Sequence, residues 1–348
     1  MARRNNFDAL RLLAALSVIF SHSFLIAEGT QRNEPLIILT GNQCILGLCG
    51  VFVFFAISGF LVTQSFEETG SAPRYLAKRA LRIFPGLGGA LLLSAFVLAP
   101  LVTTLPLGDY LKRPEPYRYV LDNLLLSTHV HELPHVMFVN NPVGLEVNGS
   151  LWTLRLEFEM YLLVMGLGLL RLLKLPVCLA LVALGMACIA FPGTLHLLGG
   201  WGWLLAFFAI GMALYRLRGT WVFNGKLALL ALTGLVASVP LRQFILFFPL
   251  FGCYLALWLA LNPRLPVIPA ARFGDLSYGL YIYGWPAEQA AVWLLGGHAP
   301  WWQVFLLGLP IAGALALFSW HIIEKPALRL KPRSVRPAAA AAAAAQRA

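Results

Sequence analysis

Charge is scarce in this 348-residue sequence: only 12% of its residues are Asp, Glu, Lys or Arg, about half the ~25% of a soluble domain. That shortage excludes a soluble globular protein. With 59% hydrophobic residues, the chain reads as all-α, a polytopic transmembrane bundle of about ten spans. Acids are scarcer than bases, 15 against 26, for a net charge of +11. The excess invites a nucleic-acid reading, but membrane proteins gather Lys and Arg in cytoplasmic loops, so no nucleic-acid partner is expected. Cysteines are few and scattered, at Cys44, Cys49, Cys178, Cys188 and Cys253. They show no metal spacing and no disulfide framework, although Cys44 and Cys49 are near enough to pair in an oxidising compartment. There is no 20–50-residue repeat and no inverted pair of broken helices, which weighs against a transporter. A small-x-small cleavage site is also missing. Asp8 and Arg11 interrupt the first apolar run, so the N-terminus is kept as a span.

What is present is a series of apolar runs, near 7–27, 47–65, 83–105, 150–170, 175–192, 199–215, 226–241, 243–261, 274–296 and 301–323. Sorting the connections by side puts twenty Lys and Arg with the termini and five opposite, with Arg155 inside a span. The positive-inside rule then places both termini in the cytoplasm of a multi-pass protein of the inner (plasma) membrane. An odd number of spans would break the alternation. The longest outside connection, 106–149, holds the short apolar piece Val120–Leu126, expected as an interfacial helix. Its histidines His129, His131 and His135 have only Glu132 beside them, and Pro134 disrupts a helix there, so no metal is expected. Residues 1–330 form one membrane domain. Residues 331–348 are read as a Pro/Ala-rich cytoplasmic tail without order of its own.

Ionisable residues inside such spans are functional candidates. Arg11 and His22 are eleven residues apart, about three turns plus 20°, so they share a face some 16 Å apart. With Arg11 at one surface, His22 lies near the midplane of a ~30 Å hydrocarbon layer. Arg79 and Arg82, three apart, share a helical face and suit a polyanion such as phosphates; ordinary anchoring at the cytoplasmic surface explains the same spacing. Gly50, Ser58 and Gly59 allow close helix packing. In the fourth span Arg155 and Glu159 can neutralise each other at i,i+4. Glu157 shares a face with Leu154 and Tyr161 and needs a partner from elsewhere, an Arg or His of another span. The ninth span offers hydroxyls and an indole (Ser277, Tyr278, Tyr281, Trp285), usable for sugar hydroxyls or equally as an aromatic belt. Glu288 has no local partner. His321, Glu324 and Pro326 close the last span.

Taken in order, these pieces resemble acyltransferase family three, the membrane O-acyltransferases of cell-surface glycans. The Arg11/His22 spacing after Phe7-Asp8 is similar to its opening, and Phe54 through Ser58 to Leu61 to its second-helix motif. Arg79-x-x-Arg82 followed by Ile83, Phe84 and Pro85 is similar to its basic motif, and Gly149-Ser150-Leu151-Trp152-Thr153-Leu154-x-x-Glu157 to its fourth-helix block. Ser277 to Tyr281 and Ile323-Glu324-Lys325-Pro326 resemble its closing motifs. The resemblance implies transfer of an acyl group, most often acetyl, from acyl-CoA on the cytoplasmic side to a carbohydrate hydroxyl. No cofactor is held tightly, and acetyl-CoA is a co-substrate. His22 and Glu157 are then the catalytic candidates, with His22 either a general base or itself acylated. Arg11, Arg79 and Arg82 hold the donor, and Ser58, Trp152, Tyr161, Ser277, Tyr278 and Tyr281 line the site. Two departures are visible. Gly284 stands where the family often has a histidine, and no hydrolase-like domain is expected after the tenth span. A transporter or flippase of a glycan or lipid intermediate is the alternative, because ionisable residues within spans also mark transport pathways.

Overall fold

The structure, a computed structural model, describes residues 5–127, 133, 138, 141–144, 146–192, 202–220 and 223–332, and every regular element among them is a helix. Ten of the helices matter for the architecture: α1 (Phe7–Glu28), α2 (Leu46–Thr69), α3 (Ala72–Val102), α4 (Trp152–Leu169), α5 (Leu175–Ala190), α6 (Leu205–Arg216), α7 (Gly225–Ser238), α8 (Phe244–Leu261), α9 (Ser277–Leu294) and α10 (Trp301–Arg329). Each answers to one expected apolar run. Among the described residues, five of them (α1, α2, α3, α8, α10) are long and apolar enough to cross a membrane. The others fall short for stated reasons: α5, α6 and α7 are short, α4 carries Arg155, Glu157 and Glu159, and α9 carries Glu288, Gln289 and three tyrosines. Three of these polar residues, Glu157 of α4 and Tyr278 and Tyr281 of α9, line the site below.

The ends follow local chemistry. Both α1 and α2 stop at glycines in the left-handed conformation, Gly29 (φ 69°) and Gly70 (φ 63°), whose N–H groups bond back to Leu25 and Phe66, a conformation open to glycine at little steric cost. Helix α3 begins eleven residues before the expected 83. The stretch from Ala72 carries Arg74, Lys78, Arg79 and Arg82, which hides it from hydropathy, but Tyr75, on the same side as Arg79 and Arg82, is fully buried and donates to the Tyr161 carbonyl at 3.0 Å. A π turn at Ser94–Leu98 lets α3 continue to Val102. The short interfacial helix appears as Glu115–Leu124 rather than Val120–Leu126. His129, His131, Glu132 and His135 lie outside the described residues. Cys44 and Cys49 are free thiols, Sγ to Sγ 3.5 Å.

Helix α1 runs through the middle, packed by α2, α9 and α10, and α6 closes on the far side of α2. Lipid offers no hydrophobic drive between helices, so close backbone approach and interhelical hydrogen bonds hold the bundle. The α2–α6 crossing is the tightest. A Cβ at Gly59 would stand 2.0 Å from the Phe208 carbonyl oxygen, and one at Gly211 2.0 Å from that of Ala56. The small residues of α2 therefore pack, as the sequence reading had them.

Candidate active site

Four helices bring their polar residues to one end of the bundle, the end holding the start of α1. There Asp275, just before α9, accepts from Arg82 of α3 at 2.8 Å and lies 3.6 Å from Arg11 of α1. Ser277 donates to its other oxygen at 2.8 Å. Burial by itself would raise this carboxyl, but the two guanidiniums and the Ser277 hydroxyl prevail and hold it down to about 2. Arg82 also lies over the Tyr278 ring at 5.5 Å, while Tyr278 donates to the Ile83 carbonyl at 2.7 Å. Arg79 bonds Ser65 at 3.3 Å and lies 5.7 Å over the Tyr161 ring. Its Nε is buried with no partner among the described residues, a costly state for a charged donor unless a ligand meets it.

These cations surround an outer vestibule of about 320 Å³, lined by Arg11, Arg79, Arg82, Asp275, Trp320 and Lys331 among others. Arg11, Ser58 and Arg82 also line a narrower inner cavity of about 50 Å³, room for a few waters. Its walls include Thr153, Glu157, Tyr161, Ser277, Tyr278 and Tyr281. Glu157 accepts from Ser58 at 2.9 Å and from Tyr161 through a short bond. The expected Arg or His partner is thus replaced by two hydroxyls, one from Tyr161 on Glu157's own helix. The i,i+4 spacing in α4 contained that pair, as it contained the observed Arg155–Glu159 bridge of 2.9 Å.

Ser58, Tyr161, Ser277, Tyr278 and Tyr281 are therefore brought together with Arg11, Arg82 and Glu157. Two expected site residues are not. Trp152 is absent from both cavities' walls; its indole stacks on Trp203 at 6.3 Å. His22 does not line the inner cavity either. Half-buried, it sits edge-on to Trp285 at 4.8 Å, and its Nδ1 is buried without a partner among the described residues. Trp285 follows Tyr281 by four residues on α9, so His22 contacts the wall about one turn, some 6 Å, beyond the cavity's Tyr281. On the cavity wall, Thr153 and Tyr281 share a hydrogen bond of 2.6 Å. Beside His22, Ser23 approaches Glu288 at 2.5 Å, which gives that buried carboxyl its missing partner.

Three residues of the site escaped the sequence reading. Asp275 had a visible signal, an acid at an end rich in arginine. Thr153 stood inside the fourth-helix block but was given no role there, and Lys331 had no signal, since it opens the stretch set apart as a tail.

The acyltransferase domain of family three matches residues 4–320 of this chain. An O-acetyl transferase of Shigella phage Sf6 is 27% identical over 93% of this chain and 96% of its own length. Nodulation protein 10 of Rhizobium leguminosarum bv. viciae is 30% identical, covering 94% of each chain. No solved structure matches. A match over nearly the whole chain decides for an enzyme over the transporter alternative, and it agrees with a bundle that carries its polar groups inside. The chain belongs to acyltransferase family three and is a membrane O-acyltransferase.

Proposed function

We propose that the enzyme moves an acetyl group from acetyl-CoA, bound at the cytoplasmic side of the inner membrane, to a hydroxyl of a carbohydrate. The observation that carries this reading is the graded path at the basic end: a cationic vestibule opening into a narrow cavity that ends one turn from His22. Phosphates suit the vestibule, because guanidinium forks bind them bidentately. The pantetheine arm suits the largely apolar inner cavity, whose small volume favours a short acyl group over a long one. The printed name of the phage relative, an O-acetyl transferase, supports acetyl. Hydroxyls and rings along α9 suit a sugar, which offers both polar edges and apolar faces.

In the reaction, His22 takes the proton of the acceptor hydroxyl as its oxygen attacks the thioester carbonyl. The carbon–sulfur bond breaks, and the coenzyme A thiolate leaves with the proton that His22 returns. For this step the thioester has to pass Thr153 and Tyr281, so their mutual bond opens when the arm enters. In the alternative order the imidazole itself takes the acetyl group before the acceptor does. Purified enzyme in lipid discs, given radiolabelled acetyl-CoA and a polysaccharide or lipid-linked glycan extract, should release coenzyme A and label the carbohydrate. Label that stays with acetyl-CoA under every acceptor would sink the proposal. Acid-quenched label on the protein without acceptor separates the two routes.

A further inference from the structure

Lys331 stands two residues beyond the end of α10, and its side chain reaches the vestibule lined by Arg11, Arg79 and Arg82. It forms no ion pair or side-chain hydrogen bond among the described residues, although Asp275 lines the same space. Asp275 is occupied by Arg82 and Arg11. From α3, Lys78 also faces this end, bonded to Thr69 at 3.0 Å, and on α10 Glu324 is bonded to Ser319 at 2.9 Å. Among the described residues, four cations and one carboxylate therefore share the vestibule, and Arg79 and Lys331 are the two cations without a counter-charge.

The cavities order these groups. Arg11 and Arg82 line both inner cavity and vestibule, whereas Arg79 and Lys331 line the vestibule only. A donor entering thioester first leaves its diphosphate level with the arginines and its adenosine 3′-phosphate outermost. We propose that Lys331 binds the 3′-phosphate of the coenzyme A donor, which makes the start of the tail part of the donor site. The inference rests on the acyl-CoA reading above.

A second property fits this role. Burial, followed by Arg82 and Arg79, lowers the ammonium of Lys331 to about 8. A phosphate monoester, dianionic above its second pKa of about 6, restores the charge when it binds. Donor binding then takes up a proton above pH 8, and affinity falls as pH rises past 8, by at most about tenfold per unit for one proton. Asp275, held near 2, does not titrate in that window.

The test uses the intact enzyme in phosphatidylcholine discs. Dissociation constants are measured at pH 7 for coenzyme A and 3′-dephospho-coenzyme A, and from pH 7 to 9.5 for the thiol-free desulfo-coenzyme A. Wild type should prefer coenzyme A over its dephospho form by about tenfold, the scale of one charge-assisted contact. Lys331→Gln should lose that preference while binding the dephospho form like wild type. Lys331→Arg should keep it with a flat pH profile. A Gln variant that retains the preference, or an Arg variant that still weakens above pH 8, overturns the proposal. So does a Gln effect seen only when phosphatidylglycerol is present, which would assign the lysine to a lipid headgroup. Arg79→Ala and Arg82→Ala test the underlying reading separately: if both bind coenzyme A like wild type, the donor reading itself fails, whatever Lys331 does.

Discussion

Arg79 and Arg82 sit one turn apart on α3 and are held differently, so their loss should be felt differently. Arg82 is engaged by Asp275 at 2.8 Å, and its removal leaves that carboxylate with the more distant Arg11. Arg79 meets only a serine hydroxyl and a ring face and keeps a bare Nε. Arg79→Ala should therefore raise the KM for acetyl-CoA about tenfold or more, as for one charge-assisted contact of roughly 1.5–3 kcal/mol, with kcat and thermal stability near wild type. Arg82→Ala should raise KM and lower the melting temperature together. Lys at position 79 should rescue only in part, since it lacks the planar fork. An unchanged KM in a normally inserted Arg79→Ala enzyme would reduce the residue to an anchor. His22 asks a different question. His22→Gln keeps hydrogen bonding but cannot exchange protons near neutral pH, so kcat should collapse while acetyl-CoA binding survives. Substantial activity in that variant would remove His22 from the chemistry.

At the level of elements, the helices were legible wherever an apolar run was uninterrupted, and the boundaries were not legible where charge lay on one face. The first eleven residues of α3 show why. Arg74, Lys78, Arg79 and Arg82 defeat a hydropathy window, yet Tyr75 in their midst is buried against α4, a tertiary contact no single stretch contains. The site was legible where partners lie on one helix, as with Tyr161 and Glu157, or where charge stands out, as with Arg11 and Arg82. It was not legible where depth decides: Arg11 and His22 share a face of α1, but only the fold shows the cavity stopping at Tyr281. Helix crossings can be tested directly. Gly59→Ala on α2 puts a methyl against the Phe208 carbonyl and forces α6 away, which should cost about 1–3 kcal/mol, read as a lower melting temperature in detergent. Gly313→Ala on α10, with nothing within 4 Å of its Cβ, should be neutral or slightly stabilising. Equal effects from both substitutions would mean that the α2–α6 contact does not limit stability.

For the whole molecule, the direction of transfer depends on which side the vestibule faces, and charge argues for one answer. Twenty Lys and Arg belong to segments on the side of the termini and five to the other, an asymmetry that sets orientation during insertion. The vestibule takes its cations from that same basic end, from the start of α1, the first turns of α3 and Lys331 just beyond α10. On the proposed reading one electrostatic pattern would serve two ends: holding these segments in the cytoplasm, where coenzyme A esters are, and supplying the groups that bind them. His22 lies some 16 Å along α1 from Arg11, towards the opposite face, where an exported carbohydrate would be met. Accessibility labelling tests the arrangement as a unit. In a functional background lacking the five native cysteines, a single cysteine at Ser71, between α2 and α3, should be shielded from a membrane-impermeant maleimide added to intact cells and should react after permeabilisation. One at Pro116, in the long opposite connection, should react in intact cells. The reverse pattern would put the vestibule outside, away from any pool of acyl-CoA, and would overturn the donor path along with the topology.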